Sequence, residues 1–239
     1  MNFYKLILFG FALITATSSK AQETIEKKAL LGFSLGPAFP LGNFASKDYD
    51  NSQAGWAAPG FMFSTFLDYK LGKGNYGFSV YSSSQVHFVD ADAYATELDA
   101  NLTGASWYVE GGAWELSSLM VGGFGSVPVS KTASFKGKFL IGYMAARLPD
   151  ITTIGVVNGN RFWVKQCTNS AMSFAYQMGA GFEFGLGNKH LLYTGIDYLG
   201  AAPEFSRVEV LTSDGDRTFD TWKQSISSVN LKLGLAIKL

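Results

Sequence analysis

The stretch Met172-Ser-Phe-Ala-Tyr-Gln-Met-Gly-Ala-Gly-Phe-Glu-Phe184 decides the fold. Met172, Phe174, Tyr176, Met178, Ala180, Phe182 and Phe184 form one set of alternate positions, all apolar or aromatic. Ser173, Ala175, Gln177, Gly179, Gly181 and Glu183 form the other, small or polar. A period of two held this long is a strand with two unlike faces; a helix would scatter both sets around its surface.

The same alternation recurs on both sides of it. Leu31, Phe33 and Leu35 oppose Gly32, Ser34 and Gly36. Phe61, Phe63, Thr65, Leu67 and Tyr69 oppose Met62, Ser64, Phe66 and Asp68. Tyr76, Phe78 and Val80 oppose Gly77, Ser79 and Tyr81. A fourth segment, 114–127, is strand-like, but its phase is not fixed by its residues. Phe135, Phe139, Ile141 and Tyr143 oppose Lys136, Lys138 and Gly142. Beyond the opening stretch, Leu192, Thr194, Ile196 and Tyr198 oppose Tyr193, Gly195 and Asp197. Val229, Leu231, Leu233, Leu235, Ile237 and Leu239 oppose Asn230, Lys232, Gly234, Ala236 and Lys238. That makes eight segments.

Their connections alternate as well. Gly72–Asn75, Ser130–Ala133 and Leu186–Lys189 are tight, whereas 41–55, 89–105, 149–169 and 200–221 are long and polar. Short turns at one end and long loops at the other mark an outer-membrane barrel, with the turns in the periplasm. The reading is therefore all-β, an eight-stranded antiparallel up-and-down transmembrane β-barrel located in the cell outer membrane.

Composition agrees. Of 239 residues only 16% are charged and 15% are aromatic, with 27 glycines against 6 prolines. Low charge with many aromatics and glycines suits strands that pack closely and face lipid. Nineteen basic side chains balance nineteen acidic ones, so no basic face is offered to nucleic acid. Residues 1–21 carry Lys5, an apolar run from Leu6 to Ala16 and the small-residue exit Ser19-Lys20-Ala21. This is the pattern of a secretory signal peptide, too short to span a bilayer, leaving 22–239 as the barrel domain. Its removal leaves 17 basic against 19 acidic side chains, a net −2. The single cysteine, Cys167, forms no intrachain disulfide and is read as a loop residue without catalytic partners.

The run Gly32-Phe-Ser-Leu-Gly36-Pro-Ala-Phe-Pro40-Leu-Gly-Asn-Phe44 resembles the opening strand and first loop of the small outer-membrane β-barrel proteins common in Bacteroidota. The final stretch Val229–Leu239 is similar to the C-terminal strand that barrel assembly machinery recognises, although such strands often end in an aromatic rather than Leu239. The resemblance spans 22–239. It implies the porin-like barrel architecture and a partnership with that machinery, and no activity.

The polar-face inventory orients the barrel. Gly, Ser and Ala dominate it, with Asp68, Lys138, Glu183, Asp197 and Lys232 among them. Eight strands leave a lumen just wide enough for side chains, so these charges are expected to pair as a network inside it. Tyr69, Tyr76, Phe135 and Phe184 beside the turns, and Trp56, Phe88 and Trp222 beside the loops, are expected as two interfacial girdles. A soluble periplasmic lipocalin-like carrier would invert the faces and carry more Lys and Glu outside.

The two ends differ in charge. The turns hold Lys73, Lys131 and Lys189 without acids, while the four loops carry −1, −4, +1 and −3. Acidic loops suit solvation, contact with lipopolysaccharide through cations, or an extracellular partner. Asp90 with Asp92, or Asp214 with Asp216, could touch a cation, but neither pair completes a ligand pattern, and no metal or cofactor is expected. Asp214-Gly215 between Phe205–Leu211 and Thr218–Trp222 is a hairpin signal.

An outer-membrane acyl-chain enzyme would need a base and an activated hydroxyl. His87 shares the inner face with Ser83, but four residues along a strand is about 13 Å, and His190 lies at the turn end. The glycine pairs at Gly122-Gly123 and Gly179–Gly181 open no helix and are read as places where strands bend or pack closely. The expectation is a non-enzymatic barrel acting through its loops, by surface interaction, envelope stabilisation or weak passive permeability, without catalytic residues.

Overall fold

A computed structural model describes residues 28–239 except Lys73. Residues 1–21, read as a signal peptide, lie outside the described residues. Thirteen strands and one α-helix follow one another: β1 (Ala29–Pro40), β2 (Gly60–Lys70), β3 (Tyr76–Phe88), α1 (Ala91–Asn101), β4 (Ser106–Gly111), β5 (Ala113–Pro128), β6 (Ala133–Leu148), β7 (Ile151–Val157), β8 (Asn160–Gln166), β9 (Asn169–Leu186), β10 (His190–Ala201), β11 (Glu204–Thr212), β12 (Arg217–Lys223) and β13 (Ile226–Lys238).

Eight of them close a barrel in the order β1-β13-β10-β9-β6-β5-β3-β2, every neighbouring pair antiparallel. They are the eight segments read from the alternation. The outward positions are apolar and exposed around the whole circumference: Phe33, Phe61, Tyr143, Phe174, Ile196 and Leu233 represent six of the strands. Phe61 is 74% and Met172 is 71% exposed. A soluble protein rarely shows a contiguous apolar patch beyond a few hundred Å², so a belt on every strand is a lipid-facing surface. No described helix is long and apolar enough to cross a membrane; the crossing is made by strands.

The fourth segment now has a phase. Trp114, Leu116, Ser118, Met120 and Phe124 of β5 point inward, and Leu119, Val121 and Val127 point outward. Apolar residues stand on both faces, so the sequence offered no contrast from which to read the phase. The same residues correct the expectation of a lumen filled mainly by Gly, Ser and Ala. Met62, Phe66, Tyr81, Met120, Leu140 and Met144 also fill it, as a narrow barrel interior requires.

Three of the four long connections are not irregular. The stretch 89–105 contains α1, and 149–169 contains the hairpin β7–β8. Asn158 and Gly159 between its strands have φ of 50° and 82°, the left-handed pair of a two-residue hairpin turn. The hairpin β11–β12 stands where the Asp214-Gly215 signal placed it. With β4 they form a second sheet, ordered β12-β11-β8-β7-β4, beyond the barrel's long-loop end. β9 has 18 residues, about 60 Å of strand, whereas a tilted span needs about 9–11 residues. The excess length carries the barrel wall outward to this sheet.

Candidate functional site: a sealed lumen beneath an outer sheet

The turn end of the lumen is closed by ions. Lys136 on β6 bonds Asp68 on β2 and, at 2.7 Å, Glu183 on β9. β5 and β3 stand between β6 and β2 in the barrel, so the Lys136–Asp68 bond crosses the lumen. One layer outward, Asp197 on β10 accepts from Lys232 on β13 and from Gln177 on β9, and forms an ion pair with Lys138 on β6 at 3.1 Å. Three lysines meet three carboxylates, and all six side chains are at most 12% exposed. The lysines also lie over aromatic faces: Lys136 is 4.6 Å from the Phe124 ring centre and Lys138 is 4.0 Å from that of Tyr81. Such contacts strengthen when water is excluded.

Of the five lumen charges picked from the sequence, the structure brings Lys138, Asp197 and Lys232 into one cluster and puts Asp68 and Glu183 in another. Lys136 joins those two, and it was absent from the five. Its inward phase beside Lys138 was visible, but a lysine three residues into a strand after a turn is ordinarily solvated. Gly179 makes the cluster fit. A Cβ there would lie 1.9 Å from Asp197 Oδ1 and 3.1 Å from Lys138 Cε. The void between Phe66, Asp68, Ser79, Lys136, Lys138 and Tyr193 measures about 10 Å³, one water's worth of space.

Above the ions the lumen is uncharged. Ser34 bonds Ser64 and Ser83 bonds Ser118, both at 2.7 Å. Gln85 Oε1 accepts from Ser228 at 3.1 Å and lies 3.3 Å from His87 Nε2. His87 is fully buried, with Nδ1 3.1 Å from the Ala58 carbonyl. Both its ring nitrogens and the Ser83 hydroxyl are therefore engaged with other groups.

The mouth is closed by hydrophobic side chains. The first loop turns back through a short 3-10 turn, Gly42–Phe44, and inserts Phe44, which is fully buried. Its ring meets His87 at 5.1 Å and Trp114 at 5.4 Å, both edge to face. Trp114 donates its indole N–H to the Gly55 carbonyl at 2.9 Å and tilts against Phe205 at 6.0 Å. A Cβ on Gly55 would sit 2.5 Å from the Phe44 carbonyl oxygen, so that approach needs glycine.

Phe205 and Val208 are both fully buried although an odd spacing would place them on opposite faces. A bulge between them, with Arg207 at φ 57°, turns both toward the mouth. Trp56 is also corrected. It is 7% exposed and stacked on Tyr94 at 4.3 Å, part of the seal and not of an interfacial girdle. Trp222 lies on the outer hairpin, beyond the barrel strands.

Of the carboxylates read as cation contacts, Asp90 and Asp214 have other partners. Asp90 is the N-cap of α1, accepting from the Ala93 amide at 3.1 Å, and it also pairs with Lys47. Asp214 accepts from the Thr212 hydroxyl. The Lys47 ammonium, and after it the Ala93 amide, hold the Asp90 carboxyl below the ordinary carboxylate range. A carboxyl with a lowered folded-state pKa stabilises above its unfolded pKa and loses that stabilisation as pH falls through the folded one.

Asp90→Ala is therefore expected to cost about 1 kcal/mol, confined to α1. Wild-type amide protection over 91–101 should fall in acid. Asp90→Asn, which keeps a cap but not the charge, should show no such pH dependence. Hydrogen exchange reads both, and a loss of protection spread over the barrel strands would contradict the assignment.

The second sheet has two unlike faces. Inward, Val109, Thr153, Ile151 and Gln166 face α1 and the mouth; Trp107 meets Phe162 edge to face at 5.4 Å. Outward stand Tyr108, Trp163, Leu211 and Phe219, with Tyr108 60% and Phe219 50% exposed. Arg207 and Arg217 lie 5.3 and 5.7 Å from the Phe219 ring centre. Cys167, half-buried, donates its amide to the Glu209 carbonyl at 2.8 Å and ties β9's approach to β11.

The closed eight-stranded barrel, apolar outside and ionic within, defines an outer-membrane β-barrel protein, and its site is a plugged lumen under a folded outer sheet. An apolar exterior around a filled interior also overturns the lipocalin-like alternative. No protein-family model matches the chain, and no curated protein matches it. Among solved structures it is similar to Neisserial surface protein A, at 10% identity over 88% of this chain and 97% of that one, with a TM-score of 0.45. It is also similar to Ail, the attachment invasion locus protein of Yersinia pestis, at 13% identity over 88% and 98%, TM-score 0.40. A major outer membrane protein from Thermus thermophilus matches at 10% identity over 87% and 98%, TM-score 0.48.

Proposed function

We propose that this is a non-enzymatic outer-membrane protein that works by surface interaction, through the sheet its loops build. The observation that carries the reading is the pairing of a lumen sealed at both ends with an ordered outer face rich in exposed aromatics. Ion pairs that cross the lumen between β6, β2 and β9, and an eight-stranded interior filled by side chains, speak against passive permeability. The outer face of β4, β8, β11 and β12 presents Tyr108, Trp163 and Phe219 beside Arg207 and Arg217. Tyr, Trp and Arg are the residue types that dominate binding energy at protein interfaces.

Within the loops Asp90, Glu204 and Glu209 are matched by Lys47, Lys223 and Arg217, and the remaining loop acids stay part of the surface offered to a partner. The Bacteroidota-type affinity of the Gly32–Phe44 run remains part of the same proposal, supported by its fold into an opening strand and an inserted Phe44. So do recognition of Val229–Leu239 by assembly machinery and removal of 1–21.

A photo-crosslinking side chain at Trp163 in intact cells tests the reading. A discrete protein adduct is expected, lost when Tyr108 and Phe219 become serine while the heat-shifted folded band persists. Adducts with lipid alone would overturn it.

A further inference from the structure

At the long-loop end four of the seven described cations, Lys47, Arg147, Arg217 and Lys223, have a carboxylate within the molecule. At the turn end Lys70, Lys131 and Lys189 are exposed and Lys28 is half-buried, and none has an acidic side-chain partner among the described residues. Among the described residues the acids nearest that end, Asp68 and Glu183, are turned into the lumen and bound to Lys136. Backbone bonds place these lysines around the rim. The Lys70 amide donates to the Lys28 carbonyl at 2.8 Å between β1 and β2, and the Lys238 amide to the Lys189 carbonyl at 2.8 Å between β13 and β10. Lys131 sits in the β5–β6 turn on the far side of the closed order.

The rim lies directly beyond the belt. Tyr69, Tyr76, Val129, Phe135 and Phe184 are exposed one to six residues from these lysines. Aromatic side chains at that position mark headgroup depth, so the ammonium groups stand at the level of lipid phosphates. From this arrangement we infer that the turn-end lysine ring binds the headgroups of anionic phospholipids in the periplasmic leaflet. A ring spread around the whole circumference fits an annulus of lipids, which touches every strand end. A single docked macromolecule would need its charges gathered on one side. Basic side chains near an anionic membrane surface attract its lipids, and the attraction is screened within a Debye length.

The test uses the full chain refolded in phosphatidylcholine bilayers, with trace spin-labelled phosphatidylglycerol or spin-labelled phosphatidylcholine. The motionally restricted fraction gives the relative association constant. The expected preference for phosphatidylglycerol is about fivefold at low salt, falling toward unity near 1 M salt, where screening reaches about 3 Å. Changing Lys28, Lys70, Lys131 and Lys189 together to glutamine should bring it below about twofold, and changing them to arginine should preserve it. Heat-shifted migration checks that each variant is folded. Equal association of the two lipids with the wild-type chain would overturn the inference, as would a preference unchanged in the glutamine variant. So would saturable binding of soluble peptidoglycan fragments to the rim in the absence of any lipid preference.

Discussion

Replacing Asp197 by alanine is expected to destabilise the folded barrel by about 3–5 kcal/mol, because it leaves Lys138 and Lys232 buried without an anion. Among the described carboxylates Lys232 and Lys138 meet only Asp197, and their side chains are 1% and 8% exposed. Both lie over Tyr81, at 5.2 and 4.0 Å from its ring centre. The check is the urea midpoint for unfolding from lipid vesicles, followed by the heat-shifted band. A second variant guards the interpretation. Asp197→Ala with Lys138→Met and Lys232→Met removes all three charges and should recover most of the loss, since a buried ion cluster replaced by apolar groups is often neutral. If the triple variant is as unstable as the single one, lost packing rather than unpaired charge is the cause.

Phe44→Ala is expected to cost a similar amount, about 3–5 kcal/mol, for a different reason. The fully buried ring contacts His87 and Trp114, and its removal opens a cavity that the stiff barrel wall cannot collapse around. The loss should reach the first loop, whose residues Asn43 and Phe44 accept the amides of Gly55 and Ala57 at 2.8 and 3.1 Å. Hydrogen exchange over 41–57 should rise with the fall in urea midpoint. Single-channel conductance should stay at the baseline, because the Lys136–Asp68 bond still crosses the lumen at the other end. An open channel in this variant would show that the ion layer does not seal.

The barrel was legible because its information is local. Lipid outside and side chains inside impose opposite demands on alternate residues, so β9 announces itself from Met172 to Phe184 without any partner strand. β5 shows the limit. Trp114 and Met120 face inward and Leu119 and Val121 outward, all apolar, and only its register with β3 and β6 assigns them. The outer sheet was half legible. Asp214-Gly215 announced one hairpin, while Asn158-Gly159 carried an equally good signal inside a stretch read as loop. α1 had a cap in Asp90 and helix formers in Ala91, Ala93, Ala95, Glu97 and Leu98. Its weak amphipathic pattern hid it, because it packs on the small outer sheet rather than on a broad core.

By itself, then, the sequence determined the eight strands, the lipid-facing set, the long and short ends, and five charges bound for the interior. Each follows from periodicity or turn chemistry, which neighbours along the chain express. Only the tertiary structure decided which charges meet, that Lys136 bridges Asp68 and Glu183, and that Gly179 makes space for Asp197. It alone showed Phe44, Trp56, Trp114, Phe205 and Val208 converging on one seal, and three loops pairing into one sheet. Those outcomes depend on barrel closure, which brings together residues more than a hundred positions apart by a shear and register that no local pattern encodes.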